Sequence, residues 1–161
     1  MFKVNKLTDY ATVVLIEIVR SNVVRSSQHL SKRTGIPLPT VAKLMKNLNK
    51  AGLVSSQRGA GGGYALSRKP GDISIADVIQ AVEGPIALTA CADTSDEHCG
   101  IESVCPVQGK WNRVNTAVRV ALGEVTLADM AEDVAGFGLH PRRAVGDAAP
   151  LEPALLEIGV K

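Results

Sequence analysis

Aromatic side chains make up only 3% of this 161-residue chain: two Phe, two Tyr and one Trp. At 45% apolar residues it can still bury a core, but aliphatic side chains must fill most of it. Cysteine is sparse as well, three in all, and an odd count leaves no fully paired disulfide framework within one chain. No long apolar run is present. The best one, Ala11–Val19, is too short to span a bilayer and carries Glu17, so no membrane role is expected. No signal peptide is visible, which makes the expected location cytoplasmic, where thiols stay reduced. No Ser/His/Asp set and no helix-borne carboxylate pair can be found, so an enzyme would need a redox role for the thiols. The length suits one domain, or a small domain with an appendage.

Acid is nearly missing from residues 1–70, where Asp9 and Glu17 face twelve Lys/Arg for a net of +10. Residues 71–161 reverse the sign, with six basic and fourteen acidic residues. A half this basic suggests a polyanionic partner, because released counterions drive phosphate binding. The alternative is a merely solvated basic face.

The pattern of the basic half supports the first reading. Leu7, Tyr10, Ala11, Val14, Leu15, Ile18 and Val19 predict an amphipathic helix over 8–20, with Thr8 as its N-cap and Asp9 in the first turn. A second helix is predicted over Ser27–Thr34, stopping at Gly35, and Ile36–Pro39 forms a turn. A third, Thr40–Ala51, has Val41, Leu44, Met45 and Leu48 on one face and Lys43, Lys46, Asn47 and Lys50 on the other. Leu53–Ser56 and Tyr64–Ser67 alternate as short strands around the glycine-rich stretch 57–63, a hairpin. This order is that of a winged helix-turn-helix, a mainly α fold with a two-stranded wing, and it implies double-stranded DNA as the partner. Pro39 and Thr40 then stand nearest the base edges, Lys43, Lys46, Asn47 and Lys50 line the exposed side, and Arg58 on the wing reaches phosphate or a minor groove. The glycines do not make a nucleotide loop. The third glycine of G-x-G-x-x-G and the Gly-Lys-Ser/Thr of a phosphate loop are both missing.

Beyond a helix predicted over Ser74–Val82, all three cysteines crowd into one polar stretch, Cys91, Cys99 and Cys105, spaced C-x7-C-x5-C. Structural cysteines are usually scattered through apolar elements. Gathered thiols suggest a metal, and three chemistries stay open on spacing alone: an iron–sulfur cluster with an outside fourth ligand, zinc, or bare redox thiols. Zinc would make the chain a structural zinc DNA-binder, and a thiol oxidoreductase would leave the basic half idle. His98 abuts Cys99 as a further candidate ligand, whereas His29 and His140 call for no chemistry. Val107, Trp111, Val114, Val118, Ala121 and Val125 recur at alternating spacings of four and three, the seam of a long helix suited to dimerisation. Gly123 is expected to end its regular part, and Thr126 to cap a short helix over Leu127–Met130. The expected division is therefore a DNA-binding domain over 1–84, a cysteine loop over 85–106, a dimerisation and terminal helix over 107–130, and a disordered tail over 131–161.

Leu7-Thr8-Asp9-Tyr10-Ala11, the stretch Gly52–Tyr64 and the three-cysteine loop together resemble the Rrf family of bacterial regulators, of the IscR, NsrR and RirA types. The resemblance covers about residues 1–130, and its opening is similar to members that regulate the SUF iron–sulfur assembly operon. It implies a homodimeric winged-helix repressor or activator whose cluster is bound by Cys91, Cys99 and Cys105. Their spacing looks like that of RirA rather than the C-x5-C-x5-C of IscR. The IscR type places a histidine ligand three residues after the last cysteine, where this chain has Gln108. The NsrR pattern instead supplies an aspartate from the partner's first helix, and Asp9 matches it. The resemblance thus implies an Asp9-completed cluster, 4Fe–4S in preference to 2Fe–2S, in a regulator of SUF or iron-homeostasis genes. A nitric-oxide or redox sensor on the same scaffold is the alternative. A glutamate that tunes site choice in the IscR recognition helix is replaced here by Ala42.

Overall fold

The computed structural model describes residues 3–59, 61–89, 92, 100, 105–107 and 109–132. Helix α1, Lys6–Ser21, is followed by α2, Ser27–Thr34, and α3, Leu38–Lys50. Strands β1, Val54–Gln57, and β2, Gly63–Leu66, form an antiparallel pair. A 3-10 turn, Pro70–Asp72, leads into α4, Ile75–Glu83, and the chain then continues to α5, Trp111–Glu124, and α6, Leu127–Ala131. The fold is the mainly helical winged helix-turn-helix that the residue pattern predicts. No helix among the described residues is long and apolar enough to cross a membrane.

The core is aliphatic. Val14 and Leu15 of α1, Leu30 of α2, Val41, Leu44, Met45 and Leu48 of α3, Ile73 and Val78 are each 0–1% exposed. All four apolar residues predicted for the third helix face inward. Full burial of such side chains stabilises by about 1.5–3 kcal/mol each, which is why the period of 3.6 dictates how α3 sits. Leu127 of α6 enters the same core, and α6 packs on α1. The joint between α5 and α6 is stitched to the segment before α4 by Ile75 N–H to the Val125 carbonyl (2.8 Å) and Leu127 N–H to the Ile73 carbonyl (2.9 Å).

Several predicted boundaries shift, each for a local reason. Helix α1 begins at Lys6, and its N-cap is Asn5, whose side chain accepts from Leu7 N–H, not Thr8. Thr8 is buried and donates instead to Glu83 Oε1 at the end of α4. Helix α3 begins at Leu38, two residues before the predicted start, so Pro39 lies in its first turn rather than in the connection. A proline there forfeits no helical hydrogen bond, since the first N–H groups have no partner inside a helix. The strands sit one residue from their predicted places, pairing Val54 with Leu66 and Gln57 with Gly63. Helix α5 starts at Trp111, leaving Val107 ahead of it, and runs through Gly123 to Glu124. Helix α2 and its αL stop at Gly35 fall where predicted. The tail beyond residue 132 lies outside the described residues.

Candidate nucleic-acid interface and cysteine segment

Burying Val41, Leu44, Met45 and Leu48 forces the remaining positions of α3 outward. Lys43, Lys46 and Lys50 are exposed and Asn47 is half-buried, all on one face at spacings of three and four. At the helix start Pro39 is exposed and Thr40 half-buried. No Asp or Glu occurs anywhere in α2, α3, β1 or β2, so nothing on these elements neutralises the lysine row. Arg58 directly follows β1 and is exposed. The structure thus gathers six of the seven predicted DNA contacts on α3 and puts the seventh on the wing.

The wing is built on close backbone approaches. A Cβ on Gly62 would lie 2.5 Å from the Gln57 carbonyl oxygen, and one on Gly63 would lie 2.4 Å from that of Arg25. Only glycine fits at either place. The second approach lets Arg25 and Tyr64 exchange two 2.9 Å backbone hydrogen bonds, adding Arg25 to the wing's edge as a one-residue third strand. Sequence reasoning missed Arg25. The signal was the length of the glycine run, which exceeds what a tight hairpin requires.

Of the predicted cluster ligands, Cys105 is half-buried with a free thiol, and Cys91 and Cys99 lie outside the described residues, as do His98 and Gln108. Asp9 is exposed in the first turn of α1 and borders a cleft of about 520 Å3 lined in part by Thr12, Ile75, Ile79 and Met130. Because Asn5 takes the capping role, the Asp9 carboxylate is not needed to close the helix. Among the described residues no three His, Cys, Asp or Glu side chains come together to hold a metal, and of the predicted ligands the half-buried Cys105 thiol is of the donor type an iron–sulfur cluster takes.

A residue that the sequence reading passed over ties this segment down. Asn115 is 4% exposed, the one buried residue of α5. Its Nδ2 donates to the carbonyls of Ile86 (3.0 Å) and Ala92 (3.3 Å), and its Oδ1 accepts from Leu88 N–H (3.1 Å). One amide thereby fastens the chain that leaves α4 to the face of α5. The available signal was a polar residue breaking the apolar row of Trp111, Val118 and Leu122.

Among the described residues, a carboxyl at the cap of α6 is shifted in acidity. Thr126 Oγ1 and Thr126 N–H both donate to Asp129 Oδ2 (2.7 and 2.8 Å), and they hold this carboxyl below its ordinary value of 3.8.

Comparison with known proteins agrees with this architecture. The pattern of the Rrf2 family, described as an iron-dependent transcriptional regulator, matches residues 4–133. The protein rrf2 of Nitratidesulfovibrio vulgaris is 33% identical over 144 residues, covering 88% of this chain and 93% of that protein. The regulator IscR of Vibrio atlanticus is 35% identical over 104 residues, 65% of this chain but only 59% of that regulator's length. Among solved structures, CymR, the global cysteine regulator of B. subtilis, aligns with a TM-score of 0.63 at 28% identity, covering 81% of this chain and 97% of CymR. IscR of T. potens aligns with a TM-score of 0.60 at 28% identity over 83% and 88% of the two chains. These relatives are transcriptional regulators, not enzymes.

Proposed function

Since the chain belongs to the Rrf2 family of DNA-binding transcriptional regulators, we propose that it is an iron–sulfur-dependent member that works as a homodimer and controls SUF cluster-assembly or iron-homeostasis genes. The observation that carries the reading is the coexistence of an acid-free lysine face on α3 with three cysteines gathered between α4 and α5. The iron-dependent description of the family and the likeness to IscR support it.

In this reading Cys91, Cys99 and Cys105 hold the cluster with Asp9 of the partner subunit as fourth donor, 4Fe–4S in preference to 2Fe–2S. When bound, such a cluster supplies a centre whose presence depends on iron and oxidants, and a carboxylate ligand, harder than thiolate, keeps it exchangeable. The chain's own residues give a route from that segment to DNA. Asn115 links Ile86, Leu88 and Ala92 to α5, and Glu83 at the end of α4 accepts from Thr8 and from Asn5 N–H at the start of α1. Helix α1 in turn packs on α2 and α3. Order in the cysteine segment is therefore coupled to the position of the recognition helix through the Asn115 and Glu83 side chains. Pro39, Thr40, Lys43, Lys46, Asn47, Lys50 and Arg58 make the DNA contacts, with two half-sites about one helical turn apart.

The likeness to a global cysteine regulator favours a second reading, a cluster-free regulator of the same fold. Anaerobic purification separates the two. A brown protein with iron and sulfide, a Mössbauer spectrum of its cluster, and DNA affinity that changes when the cluster is removed support the first. An iron-free protein with unchanged DNA affinity supports the second. Within the first reading, Asp9→Ala should leave the fold intact and change the cluster's absorption or its lifetime in air. If only His98→Ala does so, the fourth ligand is His98.

A further inference from the structure

One polar cleft lies outside the surfaces considered so far. It sits between α1 and α2, has a volume of about 440 Å3, and is lined by Glu17, Arg20, Ser21, Arg25, His29 and Arg33. Three guanidinium groups share it with a single carboxylate. That carboxylate is engaged, since Arg33 Nε donates to Glu17 Oε1 at 3.0 Å.

Arg25 differs from its neighbours. Its Nε is buried and meets no hydrogen-bond acceptor among the described residues. A buried donor in that position is costly until an acceptor arrives. Its main chain is also held in place, by the two 2.9 Å bonds with Tyr64 that the glycine at position 63 makes possible. Tyr64 pairs with Ser56, one step from the Gln57–Gly63 pair after which the chain reaches Arg58. Arg25 thus flanks the same wing that carries Arg58, on the opposite edge.

We propose that this cleft is a phosphate site and that the DNA backbone fills it, beside the groove entered by α3. A guanidinium fork matches phosphate oxygens in geometry as well as charge. In a helix-turn-helix the helix before the recognition helix crosses the backbone, and here that helix, α2, brings His29 and Arg33 one turn apart into the cleft. Tyr64 and Gly63 act as the splint that sets Arg25 at its depth. The inference rests on α3 docking in a major groove, and the test separates the two.

Duplexes bound by the full chain are selected from a random pool, and Kd is followed by fluorescence anisotropy across a range of KCl. Arg25→Ala should weaken binding about ten-fold and lower the slope of log affinity against log salt by about one. Arg25→Lys should keep the slope. The link to Tyr64 uses only main-chain atoms, so truncation leaves it in place, and a thermal melt verifies this; if Arg25→Ala melts early, Arg20→Ala carries the same measurement. Lys46→Ala is the reference for α3. A slope reduced by Lys46→Ala but not by the cleft variant overturns the phosphate site and leaves the docking intact. If neither variant moves it, the docking falls and the site with it. Inorganic phosphate is the remaining probe: wild-type binding seen by 31P NMR, lost in Arg25→Ala while the DNA slope stays unchanged, would assign the cleft to a free anion and overturn the DNA assignment.

Discussion

Helices α3 and α5 are nearly equal in length and built to opposite ends. Helix α3 buries four aliphatic side chains to 0–1% exposure and turns an acid-free polar face outward. Helix α5 buries an asparagine and leaves Trp111 at 40%, Val114 at 46% and Val120 at 55% exposure. The first obtains its stability inside one protomer. The second leaves apolar side chains exposed on opposite sides, Trp111 and Val114 on the side that the proposed dimer would cover and Val120 away from it, and spends its one buried polar group on Ile86, Leu88 and Ala92. An amphipathic pattern read from sequence is the same in both cases, and it does not say which apolar face belongs to the protomer's own core.

The sharpest way to break this contrast is to cut into α3. Leu44→Ala should lose about 2–5 kcal/mol of stability, the cost of a buried leucine plus its cavity, measured by denaturant unfolding. DNA binding should fall with it. The same truncation on the outer face, at Val120, should change unfolding by no more than about 0.5 kcal/mol.

Asn115→Ala comes next. It strands the Leu88 N–H and removes donors from two carbonyls, so a loss of about 1–3 kcal/mol is expected. Hydrogen exchange at Leu88 should accelerate by more than exchange at Leu44. If both rise equally, Asn115 supports the whole fold and is no local fastener.

Val114→Glu should barely alter unfolding of the protomer, because the side chain is already half in solvent, yet it should give monomers in sedimentation that bind DNA poorly. An unchanged sedimentation profile defeats the dimer role of α5.

The smallest effect sits at the α6 cap. The Asp129 carboxyl titrates lower in the folded chain than its ordinary 3.8. Its contribution is therefore complete above that value and is lost as pH falls through the lower folded one. Asp129→Asn should therefore cost a little stability at neutral pH, where the contribution is complete, and nothing once pH has fallen through the folded value, so that the profile flattens across this acidic window.

Elements whose signals are local were legible. Helix α2 lies between a Ser26 cap, which accepts from His29 N–H, and an αL glycine, both readable within ten residues. The lysine face of α3 follows from period alone. Where two local solutions compete, the chain does not choose by itself. Asn5 and Thr8 are both good caps for α1, and Glu83, seventy-five residues from Thr8, decides by accepting its hydroxyl hydrogen bond. The wing glycines look like a flexible tip until Arg25 is seen lying against Gly63.

What the sequence by itself determined is therefore the order and type of elements, the inward faces of α1 and α3, the charge division between the two halves, and the grouping of the cysteines. These depend on period, composition and caps, which act over one or two turns. Only the tertiary structure decided that Thr8 joins α4, that Asn115 holds Ile86, Leu88 and Ala92, and that Arg25 is pinned beside the wing with a buried, unanswered N–H. Each of these is a hydrogen bond, or a missing one, between groups far apart in the chain. Its energy depends on an approach within about 3 Å, and no local pattern encodes that distance.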